Sequence, residues 1–361
     1  MGGGQSGLAS AHAPVRTGLK PVVLEASDRA AGSWPHHYDS PTPFSPARFS
    51  ALPGMPFGGD LDRYPHRDEV VAYPTSYAAR LQADIRTGQH VTAVGADGCG
   101  FTVEPEGGRQ LSARAVVAAS GSFGRPHRPD LPGLEGFAGQ VLHAADYRDP
   151  APFAGQRVVA VGAGNSAVQI AAELASESRT SPATRAPVKF ARQHLLGKDL
   201  HFWLTRTGLD TAPPGRLLKT PPAPPVLDDG RHRAALTADS PDHRPMFTRL
   251  IDDRVPWTDG TTERLDALIL ATGYRPHLPH LAGLDGTLGP AGHPRHRGGA
   301  SPTHPGLEFA GPEWRRSLSS NALRGVGRDA GRVARRLAAH LARRCPLHLG
   351  SMCVNIDVCR M

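Results

Sequence analysis

The stretch that most constrains this chain is "RVVAVGAGNSAVQIAAELA", Arg157–Ala175. An apolar run of strand character enters Gly162, Gly164 and Ala167 at G-x-G-x-x-A spacing, and an amphipathic helix carrying Val168, Ile170, Ala171 and Leu174 follows. Asn165 and Ser166 lie inside the turn. Such a turn delivers the N–H groups at a helix start, with the positive end of the helix dipole, to an anion. Glycine is needed because a Cβ would obstruct the approach of a pyrophosphate to the backbone. The stretch reads as the opening of a dinucleotide-binding βαβ unit.

A second copy of the pattern stands at the start of the chain. "MGGGQSGLAS" places Gly2, Gly4 and Gly7 at G-x-G-x-x-G spacing around Gln5 and Ser6, with only Met1 where a strand is expected. A helix is predicted over Leu8–Thr17, and "KPVVLEAS" reads as a short buried strand ending in Glu25. Glu25 follows Gly4 by 21 residues, close to the offset of about 20 at which an acid accepts hydrogen bonds from an adenosine ribose. The same count from Gly164 lands on Arg185 in "TSPATRAP". A carboxylate suits a free 2′-hydroxyl and a guanidinium suits a 2′-phosphate, so the first turn reads as an FAD site and the second as an NADPH site. A solvated surface arginine is the alternative for Arg185, since Pro182 is expected to make its strand irregular. The incomplete first unit carries an expectation too: either translation starts upstream of Met1 or this is a weakened flavoprotein. "MGGGQS" also fits a myristoylation pattern, a weaker reading than a phosphate turn.

With 361 residues the chain can bury more than one core. "YPHRDEVVAYPTSYAARL" predicts a helix with Val70, Val71, Tyr77 and Leu81 inward, kinked or broken at Pro74. "HVTAVGAD", "GFTVEPEG" and "RQLSARAVVAAS" alternate like a small antiparallel sheet, and short strands are expected near "RPMFTRL" and "RVPWTDG". "RAVVAASGSFGRP" and "RLDALILATGYRP" each end a buried strand in a glycine turn, placing Gly121, Thr272 and Gly273 beside nucleotide. The expected fold class is α/β, with two Rossmann-like dinucleotide-binding domains. The FAD domain comprises residues 1–149 and 264–344, the NADPH domain is inserted at 150–263, and 345–361 is a C-terminal extension. A helix with a basic outer face is predicted over Asn321–Arg343.

Composition removes other classes. The formal charge of +8 comes mostly from arginines spread along the chain without a nucleic-acid-binding motif, so no nucleic acid is expected. Cys99, Cys345, Cys353 and Cys359 form no C-x-x-C, and the 18 histidines show no metal-binding spacing beside a glutamate. No run approaches the roughly 18 apolar residues of a membrane span, no signal peptide is visible, and a cytoplasmic location is the default.

Between the two turns, "FAGQVLHAADY" sets Phe137, Gly139, His143 and Tyr147 in the pattern F-x-G-x-x-x-H-x-x-x-Y. With the paired turns and "LATGY", the chain resembles the class B flavoprotein monooxygenases, most closely the compact bacterial flavin-containing monooxygenase-like group that includes arsenic-resistance-associated members. "GSW" at Gly32–Trp34, "FSPARFSALPGMPF" and "YPHRDEV" also resemble that group, while Ala31 and Ser120 depart from its glycine and threonine. The resemblance implies FAD contacts at Gly32 and Trp34. It further implies an NADPH-reduced flavin that forms a C4a-(hydro)peroxide with O2 and passes one oxygen to a small nucleophilic or carbonyl substrate. His143 and Tyr147 are its catalytic candidates, with a hydrogen-bonded linker role for His143 and interdomain packing for Tyr147 as alternatives. A flavin oxidoreductase without oxygenation, or a nucleotide-binding redox sensor, remains open, as does the oligomeric state.

Overall fold

The computed structural model describes residues 1–15, 18–98, 100–213, 224–238 and 241–343. All four cysteines, Thr17 and the 345–361 extension lie outside the described residues. Six helices are described: α1 Gln5–Val15, α2 Arg67–Arg80, α3 Asn165–Leu174, α4 Leu200–Arg206, α5 Arg231–Thr237 and α6 Leu323–Arg343.

Two parallel sheets organise the chain. The second is complete, with its strands in the order Arg244–Pro245, Arg179–Thr184, Arg157–Val161, Ala267–Leu270, Gln140–His143. Its central strands are buried along their whole length, which is why they read as unbroken apolar runs. α3 lays Ile170 and Leu174 on one face with Phe153 and Tyr147, and the other face packs on Phe247, Leu250 and Trp257.

The expected domain boundaries are corrected here. Strand Ala267–Leu270 pairs with Arg157–Val161 and with Gln140–His143, so the second sheet draws its flanking strands from both sides of the 150–263 segment. A strand buried on both faces fits either sheet, and "ALIL" carries no mark of which one receives it. Leu307–Phe309 is the strand that returns to the first sheet, beside Val116–Ala118.

That first sheet stands as two pairs, Asp84–Arg86 with Val22–Leu24 and Val116–Ala118 with Leu307–Phe309. Met1 and Gly2 bridge them: the Met1 terminal amine donates to the Val117 carbonyl at 2.8 Å, Ala119 N–H donates to the Met1 carbonyl at 2.9 Å, and Gly2 N–H donates to the Leu24 carbonyl at 2.8 Å. The strand position before the first glycine turn is therefore filled by these two residues only, at its C-terminal end. The antiparallel sheet Val91–Ala96, Phe101–Pro105, Leu111–Ala113 forms as expected and packs Val94, Phe101 and Val103 against Leu281 and Phe309.

Three local expectations change. α1 starts at Gln5, three residues before Leu8, so the helix grows directly out of the glycine turn. α2 runs unbroken through Pro74 and buries Val70, Tyr73, Pro74 and Tyr77, whereas Val71 and Leu81 are half-buried. Proline removes one N–H from the ladder, and here its ring lies on the buried stripe, where packing offsets that loss. Pro182 sits in an unbroken register opposite Ala160, because the neighbouring strand on its other side reaches only Ala183 and Thr184. Its missing N–H therefore falls where no ladder bond is made on that side.

Candidate functional site

At the first turn the glycines answer to steric contacts. Gly2 has φ +98°, and a Cβ there would run into the Ala119 carbonyl; a Cβ on Gly7 would run into the carbonyl of Gly2. A Cβ on Gly32 (φ +64°) would lie 2.9 Å from the Gly4 Cα, so the "GSW" loop crosses the turn backbone to backbone. These contacts draw Gly2, Gly4, Gly7 and Gly32 into one cradle at the start of α1, whose first N–H groups have no carbonyl within the helix to accept them. Glu25, 9% exposed, closes one side. Its Oε2 accepts from Gly3 N–H, and its Oε1 accepts from Ser27 N–H at 2.9 Å and Ser27 Oγ at 2.7 Å. Gln5 Nε2 donates to the Asn321 carbonyl, tying the turn to the approach to α6, and buried Ser6 backs onto Gly311. Gly311 and Asn321 carried no spacing signal, since their part depends on a chain return some 300 residues away.

The second turn divides its glycines by task. Gly162 has φ +143°, and a Cβ there would strike the Ala271 carbonyl, while Ala167 sits 3.2 Å from that same added Cβ. Gly164 caps α3 in an extended conformation, with open space where its Cβ would be. Ser166 occupies the first turn, and Asn165 Oδ1 accepts from Leu227 N–H at 3.3 Å. Arg185 directly follows strand Arg179–Thr184 and is exposed. His127 is held below the usual histidine range, first by burial and then by the charges of Arg275 and Arg185, so these groups share one positive corner. Each turn ends in a helix start whose first N–H groups lack intrahelical acceptors, and open space lies beside Gly164, so the residues present fit two dinucleotides.

Between the turns runs a chain of rings. Trp34 lies edge-on to His37 at 5.5 Å, His37 to Phe123 at 5.7 Å, Phe123 to Tyr274 at 5.1 Å and Tyr274 to His143 at 5.1 Å. Gly121 (φ +76°) precedes Phe123, and Gly273 (φ +80°) precedes Tyr274. Thr272 Oγ1 donates to the His127 carbonyl, pinning that second exit turn.

Of the readings open for the two catalytic candidates, the structure favours the linker role for His143 and packing for Tyr147. His143 is fully buried at the end of strand Gln140–His143. Its Nδ1 accepts from Ala145 N–H at 3.0 Å, which makes Nε2 the protonated nitrogen, donating to the Gly273 carbonyl at 3.0 Å. Burial lowers its pKa, so it stands neutral with both ring nitrogens engaged. It holds the Gly273 turn, and no ring atom remains for proton transfer. Tyr147, 1% exposed, packs between Tyr38 and Phe153 beside Glu173, and burial raises its pKa. Both occupy linker and packing positions, because the fingerprint that marks them lies where the chain enters the second sheet.

Among the described residues no group of three His, Cys, Asp or Glu side chains is arranged to hold a metal, and no helix is long and apolar enough to cross a membrane.

Comparison with known proteins adds the following. The pyridine nucleotide-disulphide oxidoreductase family model matches residues 1–194. A flavin-containing monooxygenase from Stenotrophomonas maltophilia superposes with TM-score 0.82 at 33% identity, covering 94% of this chain and 97% of that one. The indole-3-pyruvate monooxygenase YUCCA1 of Oryza sativa subsp. japonica is 32% identical over 315 residues, 77% of each chain. An uncharacterised CzcO-like oxidoreductase of Geobacillus kaustophilus is 27% identical over 336 residues, 91% of this chain and 94% of that one.

Proposed function

The chain belongs to the pyridine nucleotide-disulphide oxidoreductase family, among its flavin monooxygenase-like members, and from that footing we propose an NADPH-dependent monooxygenase that transfers one oxygen atom of O2 to a small nucleophilic or carbonyl substrate. It is an enzyme, and its cofactors are FAD and NADPH. When bound, FAD supplies the redox and oxygen chemistry and NADPH supplies the reducing equivalents. The protein's part is placement and exclusion of water. In this reading the Gly2–Gly7 turn and α1 hold the FAD pyrophosphate, Glu25 takes its adenosine ribose, and Gly32 with Trp34 closes over the flavin side. The Gly162–Ala167 turn holds the NADPH pyrophosphate and Arg185 its 2′-phosphate. His143 acts as a positioning residue that keeps the Gly273 turn against the second cradle.

The observation that carries the reading is the pair of cradles, each excluding a Cβ at its first glycine, joined through the rings from Trp34 to His143. The test is to load the purified protein with FAD and follow NADPH oxidation with a thioether, a tertiary amine and a ketone under isotopically labelled O2. Label in one product supports the proposal. NADPH oxidation without labelled product would assign a flavin oxidoreductase instead, and a colourless protein that FAD cannot reconstitute would assign a nucleotide-binding sensor.

A further inference from the structure

The second unit carries a hairpin whose tip is at odds with its turn. His194 pairs with Asp199 and Leu195 with Lys198 across a two-residue connection, in which Leu196 has φ +49° and Gly197 has φ +71°. Connections of that hand favour asparagine or glycine at the first position, and a bulky side chain there is strained. Leu196 is also 91% exposed, so no packing within the chain offsets the strain. A side chain that serves neither its turn nor a core points to a contact outside the molecule. The base of the hairpin is held firmly: Asp199 accepts from Tyr64 Oη, Gln193 Nε2 and His201 N–H, and Gln193 Nε2 also donates to the Phe44 carbonyl at 3.0 Å. The tip is thus presented on a clamp that reaches into the first unit.

The surroundings of the tip select its partner. Leu195 is exposed as well, and the Trp203 indole N–H of α4 donates to the Leu195 carbonyl at 2.9 Å. Among the described residues Arg192, Lys198 and Arg206, all exposed, have no carboxylate within ion-pairing distance. The acids nearby are already taken: Asp199 as above, Asp228 by the N–H groups of His232 and Arg233, and Asp229 by Arg231 at 2.7 Å. Leucines at a protruding tip, an indole with one polar edge behind them and a border of unpaired cations make the composition of an element that lies in the headgroup boundary of a bilayer. A second copy of the chain docking through the same face would set these cations against one another. A purely acidic surface would pair the cations and leave the leucines in water.

We propose that the His194–Asp199 hairpin docks this protein peripherally on an anionic lipid surface, with Leu195 and Leu196 entering the headgroup boundary and Arg192, Lys198 and Arg206 on the lipid phosphates. The proposal is independent of the monooxygenase reading. The experiment sediments the FAD-loaded chain with sucrose-filled vesicles of phosphatidylcholine mixed with phosphatidylglycerol, and with vesicles of phosphatidylcholine alone. The mixed vesicles should carry the protein down in a salt-sensitive manner, and the neutral ones should not. Leu196→Asn suits the turn better, so its melting temperature should hold or rise while its partition onto mixed vesicles falls about tenfold, the worth of one leucine side chain withheld from an apolar phase. Lys198→Gln should weaken the partition, whereas Arg335→Gln, on the exposed face of α6, removes the same charge and should leave it unchanged. Failure to sediment with mixed vesicles, or a Leu196→Asn protein that partitions as wild type does, would overturn the proposal. So would equal effects of Lys198→Gln and Arg335→Gln, which would reduce the binding to net charge. A dimer in sedimentation velocity that Leu196→Asn dissociates, found in place of vesicle binding, would give the tip to a second copy.

Discussion

Gly162 and Gly164 stand two residues apart in one motif and answer different constraints. Gly162 is fixed by its own fold: at φ +143° with a carbonyl in the way of a Cβ, Gly162→Ala should cost about 1–3 kcal/mol and lower the melting temperature of the FAD-loaded protein. Gly164 has ordinary backbone angles and open space around it, so Gly164→Val should cost only about 1 kcal/mol as a changed helix cap. Its effect should fall on the ligand instead: FAD stays bound, while reduction of the flavin by NADPH, followed by rapid mixing, is blocked. A Gly164→Val protein that NADPH reduces at the normal rate would remove that turn from the nicotinamide site. Arg185→Ala should narrow the preference for NADPH over NADH by about 1–3 kcal/mol, read from the two kcat/KM values. Unchanged discrimination would return Arg185 to the status of a surface arginine. These positions were legible because spacing alone marks where a chain must turn and where an anion must sit. For His143 and Tyr147 the sequence left catalysis beside a linker or packing role, since the partner that decides the first, Gly273, lies 130 residues away and the packing that decides the second comes from Tyr38.

The elements were legible wherever periodicity had one meaning. The antiparallel sheet and α3 formed as read, because alternation and a 3.6-residue stripe each specify a face. The "ALIL" strand was recognised but assigned to the wrong sheet, and Pro74 and Pro182 were read as interruptions, whereas packing offsets the N–H lost at Pro74 and no neighbouring strand uses the one lost at Pro182. The N-terminal segment is the element with the largest testable consequence. Met1 donates its terminal amine into the first sheet at Val117, and burial lowers its pKa to about 6, so a group that must give up its charge to be buried occupies a place suited to a peptide N–H. Adding four or five aliphatic or β-branched residues before Met1, itself replaced by Val, exchanges the titratable amine for an amide and extends the ladder between Val22–Leu24 and Val116–Ala118. Flavin-to-protein absorbance ratio and melting temperature should both rise relative to the unextended chain. If neither rises, bridging at Met1 and Gly2 already satisfies the sheet.

At the scale of the whole molecule, the buried histidines set how the two units respond together to acid. His280, 9% exposed beneath the first sheet, is pushed down by burial to about 4, and half-buried His37 in the ring chain is also lowered to about 4. His143 in the second sheet and His296 beside Phe309 are lowered by burial as well. Each of these groups is harder to protonate in the folded chain than in the unfolded chain, where the ordinary value is near 6.5. As pH falls below that value the unfolded state takes up protons first, so stability declines from about pH 6.5 toward 4 and is fully present above it. Asp199 is shifted in the same direction, but because its charged form is favoured. His201, Tyr64 and Gln193 bond its carboxylate and hold it at about 2 against the cost of its burial, so its contribution persists through this window and is lost only as pH falls through about 2. The melting temperature should therefore begin to fall below about pH 8, where the buried Met1 amine resists the proton that the unfolded chain takes up, and fall steeply between 6.5 and 4. For His280 alone the shift corresponds to about 3 kcal/mol, so His280→Gln should reduce the loss across that window by a similar amount while lowering stability at neutral pH only modestly. A wild-type melting temperature unchanged between pH 7 and 4.5, or a His280→Gln protein with the same acid limb as wild type, would show that these histidines are not what the fold keeps neutral.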